Sequence, residues 1–168
     1  MDTESPPSLT ATADDGITLP PGYLSPHFTL SEMIASDTAQ QLGIDNTPGP
    51  EIQASLKRLA ERLEQVRDLL GGLPIKINSG YRCPALNAAV HGVSDSMHQY
   101  GLAADIVCPA FGPPLKIARA IAASQISFDQ VIFEFDSWVH FGLCPLGQVE
   151  RKQQLTINKQ GTQLGLIG

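Results

Sequence analysis

The chain has 168 residues, of which 42% are hydrophobic and 17% charged. This length is enough for one domain with a hydrophobic core and too short for two. The net charge of -6 and a pI near 5.0 exclude a nucleic-acid partner, because phosphate binding needs clustered lysine and arginine. No run of about 18 or more apolar residues is present, so the sequence also predicts no membrane span.

The three cysteines, Cys83, Cys108 and Cys144, form an odd set without CxxC spacing. This pattern favours a reducing compartment over a disulfide scaffold. We expect the thiols to be small buried hydrophobes and not metal ligands, since that is the usual environment of a free cysteine.

Three segments are predicted along the chain. Residues 1–25 are rich in proline, serine, threonine and aspartate and are expected to form a flexible leader, with order beginning near His27. Residues 26–147 carry the periodic apolar patterns of a folded domain. Residues 148–168 are polar with weak alternation, so this tail either packs as an edge strand or hangs free.

The predicted elements follow one another in a helix-rich first half and a strand-rich second half. Thr29 and Glu32 have the spacing of a capping box, which starts a short helix ending at Ile34. The clearest helix covers 50–70, where apolar residues recur at spacings of three and four. Further predicted elements are a helical turn over 38–42, a strand over 75–78, a helix over 84–90, a strand over 104–108, a helix over 114–123, and a hairpin of 130–135 with 138–143. The sequence therefore predicts an α+β fold with a small, mostly antiparallel sheet.

Two polar clusters interrupt these patterns, one around His98 and Asp105 and one at His140 in the predicted hairpin. Asp105 enters an apolar strand, where an unpaired buried carboxylate would be costly. Imidazole and carboxylate are normal zinc ligands, and a catalytic site keeps three protein ligands with one open position. The pattern favours a metal site, although a hydrogen-bonded histidine and an aspartate that caps a turn or pairs with an arginine would also explain it. His27 and His91 have no matching partners and are not predicted as ligands.

A longer pattern connects these clusters. It consists of Ser79-Gly80-Tyr81-Arg82, Leu86-Asn87, Val90, Ser96-x-His98-x-x-Gly101-x-Ala103-Ala104-Asp105-Ile106, Phe128-Asp129-Gln130, Glu134 and Trp138-Val139-His140. This ordered combination resembles the zinc D-Ala-D-Ala carboxypeptidase family, peptidase family M15, and is most similar to its short phage-type, endolysin-like members. The segment HFTLSEMIASDTAQQLGIDNTP is similar to their N-terminal part, so the resemblance covers roughly residues 27–145.

The resemblance implies that His98, Asp105 and His140 bind Zn²⁺ on the sheet. It also implies that Arg82 stabilises the substrate around the scissile peptide. The fixed fork of a guanidinium suits that role, because it can hold a carboxylate or a developing oxyanion.

Two further residues are candidates for substrate binding. Ser96 either donates a hydrogen bond to the substrate backbone or only shapes the loop before the first histidine. Trp138 is expected to form a wall of the site and is a candidate substrate contact.

The general base is less clear from the sequence. Many relatives place an acid three residues before the last histidine ligand, where this chain has Ser137. Glu134 is the predicted base, Asp136 the alternative, and Asp129 a third candidate. A turn of odd length centred on Ser137 would place Glu134 opposite His140.

The resemblance therefore implies a zinc peptidase domain over 26–147 that hydrolyses a peptide bond in peptidoglycan stem peptides, as a D-Ala-D-Ala carboxypeptidase or an endolysin-type endopeptidase. Ser137 favours one alternative, a noncatalytic peptidoglycan-binding or phage structural module that retains the fold. We expect a monomer whose partner is the stem peptide. The N-terminus shows no secretory signal, so the protein is expected to be made in the cytoplasm and to act on the cell wall after release or export by another route.

Overall fold

The computed structural model describes residues 18–168 and shows a mostly helical first half. Its elements are β1 (Tyr23–Ser25), β2 (Phe28–Thr29), α1 (Leu30–Ile34), α2 (Asp37–Leu42), α3 (Pro50–Leu69), β3 (Lys76–Ser79), α4 (Pro84–Ala89) and a 3-10 turn (Met97–Tyr100). The second half contributes β4 (Ala103–Val107), α5 (Pro114–Ala123), β5 (Gln130–Glu134), β6 (Trp138–Gly142), β7 (Gln153–Asn158) and β8 (Gly161–Leu164). No helix of the described part is long and apolar enough to cross a membrane.

The helices form where the local sequence predicts them. Thr29 caps α1 through a complete capping box with Glu32, which satisfies backbone donors at the start of the helix. In α3 the recurring apolar residues become a buried stripe that faces the core. This helix ends at Leu69, because Gly71 and Gly72 adopt positive φ angles that other residues rarely take.

The six main strands form one sheet in the order β3-β4-β6-β5-β7-β8. Every neighbouring pair is antiparallel except β5 and β7, which run parallel. The predicted α+β fold with a small, mostly antiparallel sheet is confirmed. One face of the sheet contributes Ile106, Val139, Phe141, Val131 and Phe133 to the hydrophobic core. Since successive side chains of a strand alternate between faces, the residues between these project from the opposite face.

Regular structure begins earlier than the sequence indicated. Residues 1–17 of the predicted leader lie outside the described part of the chain, but Tyr23–Ser25 forms β1 and pairs with β2, ahead of the predicted start at His27. Glu64 of α3 holds this segment, because its carboxylate accepts hydrogen bonds from the hydroxyl of Ser25 and the backbone N–H of His27. A contact between residues so distant in sequence leaves no local signal.

The tail that the sequence left open forms two strands. β8 is the edge strand of the sheet, whereas β7 lies inside it, between β8 and β5. The backbone N–H of Gln153 donates to the carbonyl of Asp129, and that of Phe135 donates to the carbonyl of Ile157. The C-terminal segment is therefore hydrogen-bonded along the whole length of β5.

Candidate active site

The face of the sheet turned away from the helical core brings together His98, Asp105 and His140. Asp105 on β4 lies directly across from His140 on β6, and the 3-10 turn before β4 carries His98. Oδ1 of Asp105 lies 3.1 Å from Nδ1 of His140 and 3.3 Å from Nε2 of His98, and the two ring nitrogens are 3.2 Å apart. All three side chains are buried.

These distances fit ligands of one metal ion. Two ligand atoms bonded to zinc at about 2.0–2.1 Å and at a tetrahedral angle lie about 3.3–3.4 Å apart. The three separations in the cluster are close to that value, and the atoms are two imidazole nitrogens and a carboxylate oxygen. Within residues 18–168 this is the one group of histidine, cysteine and acidic side chains that meets such a geometry. Cys108 and Cys144 are buried free thiols outside it.

Backbone contacts orient His98. Its Nδ1 lies 2.7 Å from the carbonyl of Gly80, and because a carbonyl can only accept, Nδ1 carries the proton and leaves the lone pair of Nε2 for the cluster. Gly80 is needed for this approach, since a Cβ there would lie 2.3 Å from the backbone oxygen of Met33. The turn after β3 therefore packs directly against α1 on one side and His98 on the other.

Burial and neighbouring charge set the protonation of the cluster. Burial lowers the pKa of His98, which favours the neutral ring that a metal needs. Burial alone would raise the pKa of Asp105, but the adjacent His98 and His140 outweigh it and hold the pKa well below the usual range of an aspartate. The site thus presents an ionised carboxylate and a neutral imidazole.

Arg82 lies beside this cluster in a fixed position. Its Nη2 is 3.6 Å from Oδ2 of Asp105, the carboxylate oxygen that faces away from the histidines. Nε donates to the hydroxyl of Ser79 at 3.1 Å, and Nη1 donates to Oδ1 of Asn87 at 3.2 Å. Burial lowers the pKa of Arg82, although Asp105 and Glu134 act in the opposite direction.

Asn46 also fixes this arginine and was not singled out from the sequence. Its buried amide donates to the carbonyls of Ile34 and Tyr81 at 2.9 and 3.0 Å and accepts from the backbone N–H of Cys83 at 2.8 Å. The amide thereby holds the backbone on both sides of Arg82. Asparagine is common in loops, so the residue alone carried no sign of this role, and only its place in the N-terminal segment of the resemblance could have drawn attention to it.

Glu134 shares the face of His140 but not the predicted register. Glu134 pairs with Trp138, and Ile132 pairs with His140, so the turn has three residues centred on Asp136 and not on Ser137. The prediction that Glu134 lies opposite His140 is wrong by two positions. Because the shift is even, Glu134 still projects from the same face and is a diagonal neighbour of His140.

Backbone conformation explains this register. Phe135 and Asp136 both have positive φ, at 49° and 54°, and the N–H of Ser137 donates to the carbonyl of Glu134. Two successive left-handed residues suit the twist of a tight hairpin, but phenylalanine rarely adopts that conformation. The hairpin itself was predicted, but the residue types in the turn did not indicate this register.

The carboxylate of Glu134 lies in a partly buried position. Burial raises the pKa of Glu134, and the charge of Asp105 raises it further, while His140, Trp138 and Arg82 lower it. The indole N–H of Trp138 acts on this carboxylate, yet the pair does not reach hydrogen-bond geometry, and this buried N–H has no partner within residues 18–168. Glu134 is therefore close to the cluster, with a carboxylate that the indole N–H of Trp138 does not hold.

The other two acids have different surroundings. Asp136 is exposed in the turn. Asp129 is buried and accepts from the backbone N–H of Arg151 and from Nε and Nη2 of its guanidinium. These hydrogen bonds lower the pKa of Asp129 and occupy its lone pairs, which makes it a poor proton acceptor.

A cleft of about 610 Å³ passes over the cluster. Ser96 and Glu134 line this cleft. His91 lines it as well, although the sequence indicated no role for this residue. Trp138 is not among the lining residues and touches the cleft only through its position beside Glu134. The functions of Ser96 and Trp138 stay predictions.

Comparison with known proteins agrees with this geometry. The sequence model of the family described as Peptidase M15 matches residues 26–142, which include all the residues of the cluster, Arg82 and Glu134. A segment of 71 residues is 42% identical to the zinc D-Ala-D-Ala carboxypeptidase of Streptomyces albus G. That segment is 42% of this chain and 27% of the relative, so the match spans about a quarter of the relative's length. Because the family match covers most of the chain and contains the whole cluster, the chain belongs to the peptidase M15 family.

Proposed function

We propose that this chain is a zinc metallopeptidase that hydrolyses a peptide bond in peptidoglycan stem peptides. The observation that carries the proposal is the cluster of two imidazole nitrogens and one carboxylate oxygen, 3.1–3.3 Å apart, at the base of an open cleft. The family match supports peptidase chemistry, and the name of the Streptomyces relative supports both zinc and a D-Ala-containing substrate.

His98, Asp105 and His140 would hold the metal. When bound, zinc supplies Lewis-acid polarisation of the scissile carbonyl and a water that is nucleophilic near neutral pH. The hydrogen bond from His98 to Gly80 keeps Nε2 directed at the cluster.

Glu134 is the proposed general base. Its carboxylate accepts a proton from the attacking water and later delivers that proton to the leaving amine, and a raised pKa makes it a better acceptor at neutral pH. Asp136 is exposed in the turn and Asp129 is bound to Arg151, so neither is placed as well.

Arg82 is proposed to bind negative charge on the substrate. Ser79 and Asn87 hold its guanidinium next to the cluster, so a carboxylate or a developing oxyanion there meets a donor that needs no rearrangement. Ser96, which also lines the cleft, is proposed as a donor to the substrate backbone.

The test is digestion of purified peptidoglycan with the protein, with and without a chelator, followed by mass spectrometry of the released fragments. We expect fragments that correspond to a cut stem-peptide bond, their loss with chelator, and their return on adding zinc. Terminal D-Ala alone would identify a carboxypeptidase, and larger fragments would identify an endopeptidase. Release that is indifferent to chelator would overturn the zinc mechanism.

A noncatalytic wall-binding module is the second candidate, favoured by Ser137 at a position where many relatives have an acid. It predicts that the protein sediments with peptidoglycan and releases nothing. The position of Glu134 in the wall of the cleft, with its carboxylate not held by the indole N–H of Trp138 across from it, favours the enzyme.

A further inference from the structure

The face of the sheet that carries the metal cluster continues onto β7 and β8. Directly paired positions form one row of Asp105, His140, Ile132 and Leu155, and the next row of Trp138, Glu134, Ile157 and Thr162. Each row contains residues of the proposed site and ends in apolar or hydroxyl side chains on the C-terminal strands, which are Leu155 in the first row and Ile157 with Thr162 in the second. The family match ends at residue 142, before β7 and β8 begin.

The C-terminal strands form a wall of the same cleft. Leu155, Ile157 and Thr162 line it together with Arg82 and His98. Neighbouring strands lie about 4.8 Å apart. The sheet from β4 through β6 and β5 to β7 therefore extends about 14 Å, which is the length of roughly four extended residues. A peptide across these strands would therefore reach β7 while its scissile bond lies at the cluster.

The wall is held firmly beside Glu134. The N–H of Phe135 donates to the carbonyl of Ile157 at 2.8 Å, and the side chain of Gln130 donates to that of Gln153 at 2.6 Å. These bonds fix β7 against β5 at both ends of their parallel pairing. A rigid wall can contribute to affinity without a large ordering cost.

Charge at this wall indicates the kind of ligand. Asp129 binds Nε and Nη2 of Arg151, which leaves Nη1 without a hydrogen-bond partner within residues 18–168. The side chain of Arg151 is 57% exposed and lines the cleft. A guanidinium at this end, with Arg82 at the other, suits a peptide that carries carboxylates.

We propose that β7 and β8 form a substrate-binding subsite for the part of the stem peptide that lies on the side of the scissile bond away from Arg82. Leu155 and Ile157 contact its apolar groups, and Arg151 faces its negative charge. This inference rests on the proposed function and deepens it, because such a subsite favours substrates longer than the residues flanking the cut bond.

The test compares Ile157→Asn with Val149→Asn, which makes the same kind of change at an exposed valine outside this cleft. On soluble muropeptides from purified peptidoglycan, Ile157→Asn should raise KM about tenfold with a smaller change in kcat, the scale of losing a small apolar contact. Val149→Asn should match the wild type. Unchanged KM in Ile157→Asn, with an active wild type, overturns the subsite.

A binding measurement separates this inference from the proposed function. Zinc-loaded Glu134→Gln protein with labelled methyl groups would be titrated with the same muropeptides. We expect shifts of the Leu155 and Ile157 methyl resonances and none at Val149. Shifts confined to residues on the Arg82 side overturn the subsite, whereas shifts at Ile157 together with a wild type that cuts no peptidoglycan support the subsite and refute the peptidase.

Discussion

Two regions of β6, one around His140 at its centre and one around its first residue, Trp138, differ in how completely their polar groups are satisfied. At His140 the neighbouring Asp105 and His98 hydrogen-bond within the cluster or to the backbone, and Ser79 and Asn87 bind Arg82. At Trp138 the indole N–H is buried without a partner in the described chain, and it does not reach hydrogen-bond geometry with the carboxylate of Glu134 across from it.

This difference matches two chemical tasks. A metal site needs ligands that stay in one geometry, and the hydrogen bonds around His98 provide that. A general base must exchange a proton, so a carboxylate without fixed donors is better suited to it. The turn that positions Glu134 also includes Phe135 in a left-handed conformation, and such strained residues are common at functional sites.

The largest effect is expected from His98→Ala, which removes one of the three proposed metal ligands in the region around His140. The protein should lose both its zinc and its activity, because two remaining ligands do not hold a catalytic zinc. Elemental analysis and peptidoglycan digestion check this. Cys144→Ser is the control and should keep its zinc, and loss of zinc there would show that the ligand set is different.

Glu134→Gln removes the proposed proton acceptor from the region around Trp138. It should retain zinc and fold but lose at least about a hundredfold in kcat, the usual scale of general acid and base catalysis. Asp136→Asn, in the same turn, should stay within a few fold of wild type. The reverse pattern in steady-state kinetics would assign the role of general base to Asp136. It would also contradict the proposed difference between the regions around His140 and Trp138.

Arg82→Ala tests whether the hydrogen-bonded region around His140 also binds negative charge on the substrate. Turnover should fall about a hundredfold with zinc content intact, as when one charge-stabilising donor is removed. Arg82→Lys should restore little, because a point charge lacks the planar fork. Wild-type rates in Arg82→Ala would show that the guanidinium is only structural.

Asn46→Asp should have the smallest effect of these variants. The carboxylate can still accept from Cys83 but loses the donors to Ile34 and Tyr81, so the backbone around Arg82 is held less firmly. We expect about a tenfold loss in kcat with zinc retained, from partial loss of a donor worth about a hundredfold. Gln41→Glu, which adds the same charge at an exposed position of α2, is the control.

A double mutant shows whether Asn46 acts through Arg82. In the Arg82→Ala background, Asn46→Asp should add little, because the two changes affect one interaction. An additional tenfold loss in that background would mean that Asn46 supports the fold as a whole and does not position the arginine.

How much the sequence predicted depended on the range of the interaction. The capping box at Thr29 and the apolar stripe of α3 are local patterns, so these helices were predicted nearly to the residue. The grouping of His98 and Asp105 followed from a carboxylate in an apolar strand. His140 needed the family resemblance to join them, because no local pattern states which strands are neighbours.

The errors arose where distant contacts or unusual backbone decide the structure. The register of the β5–β6 hairpin depends on left-handed Phe135, a conformation its residue type disfavours. β7 pairs in parallel with β5 and β8 covers its other edge, so its pattern is not the simple alternation of an exposed strand. The three hydrogen bonds of Asn46 join segments 12 to 37 residues apart in sequence.

The most direct test is a crystal structure of the zinc-loaded protein, with anomalous diffraction measured at the zinc absorption edge. The account predicts one anomalous peak per chain at about 2.0–2.2 Å from Nε2 of His98, Nδ1 of His140 and a carboxylate oxygen of Asp105, with the fourth position open to the cleft. A peak at Cys108 or Cys144, or a zinc-loaded crystal with no peak at the three side chains, would contradict it.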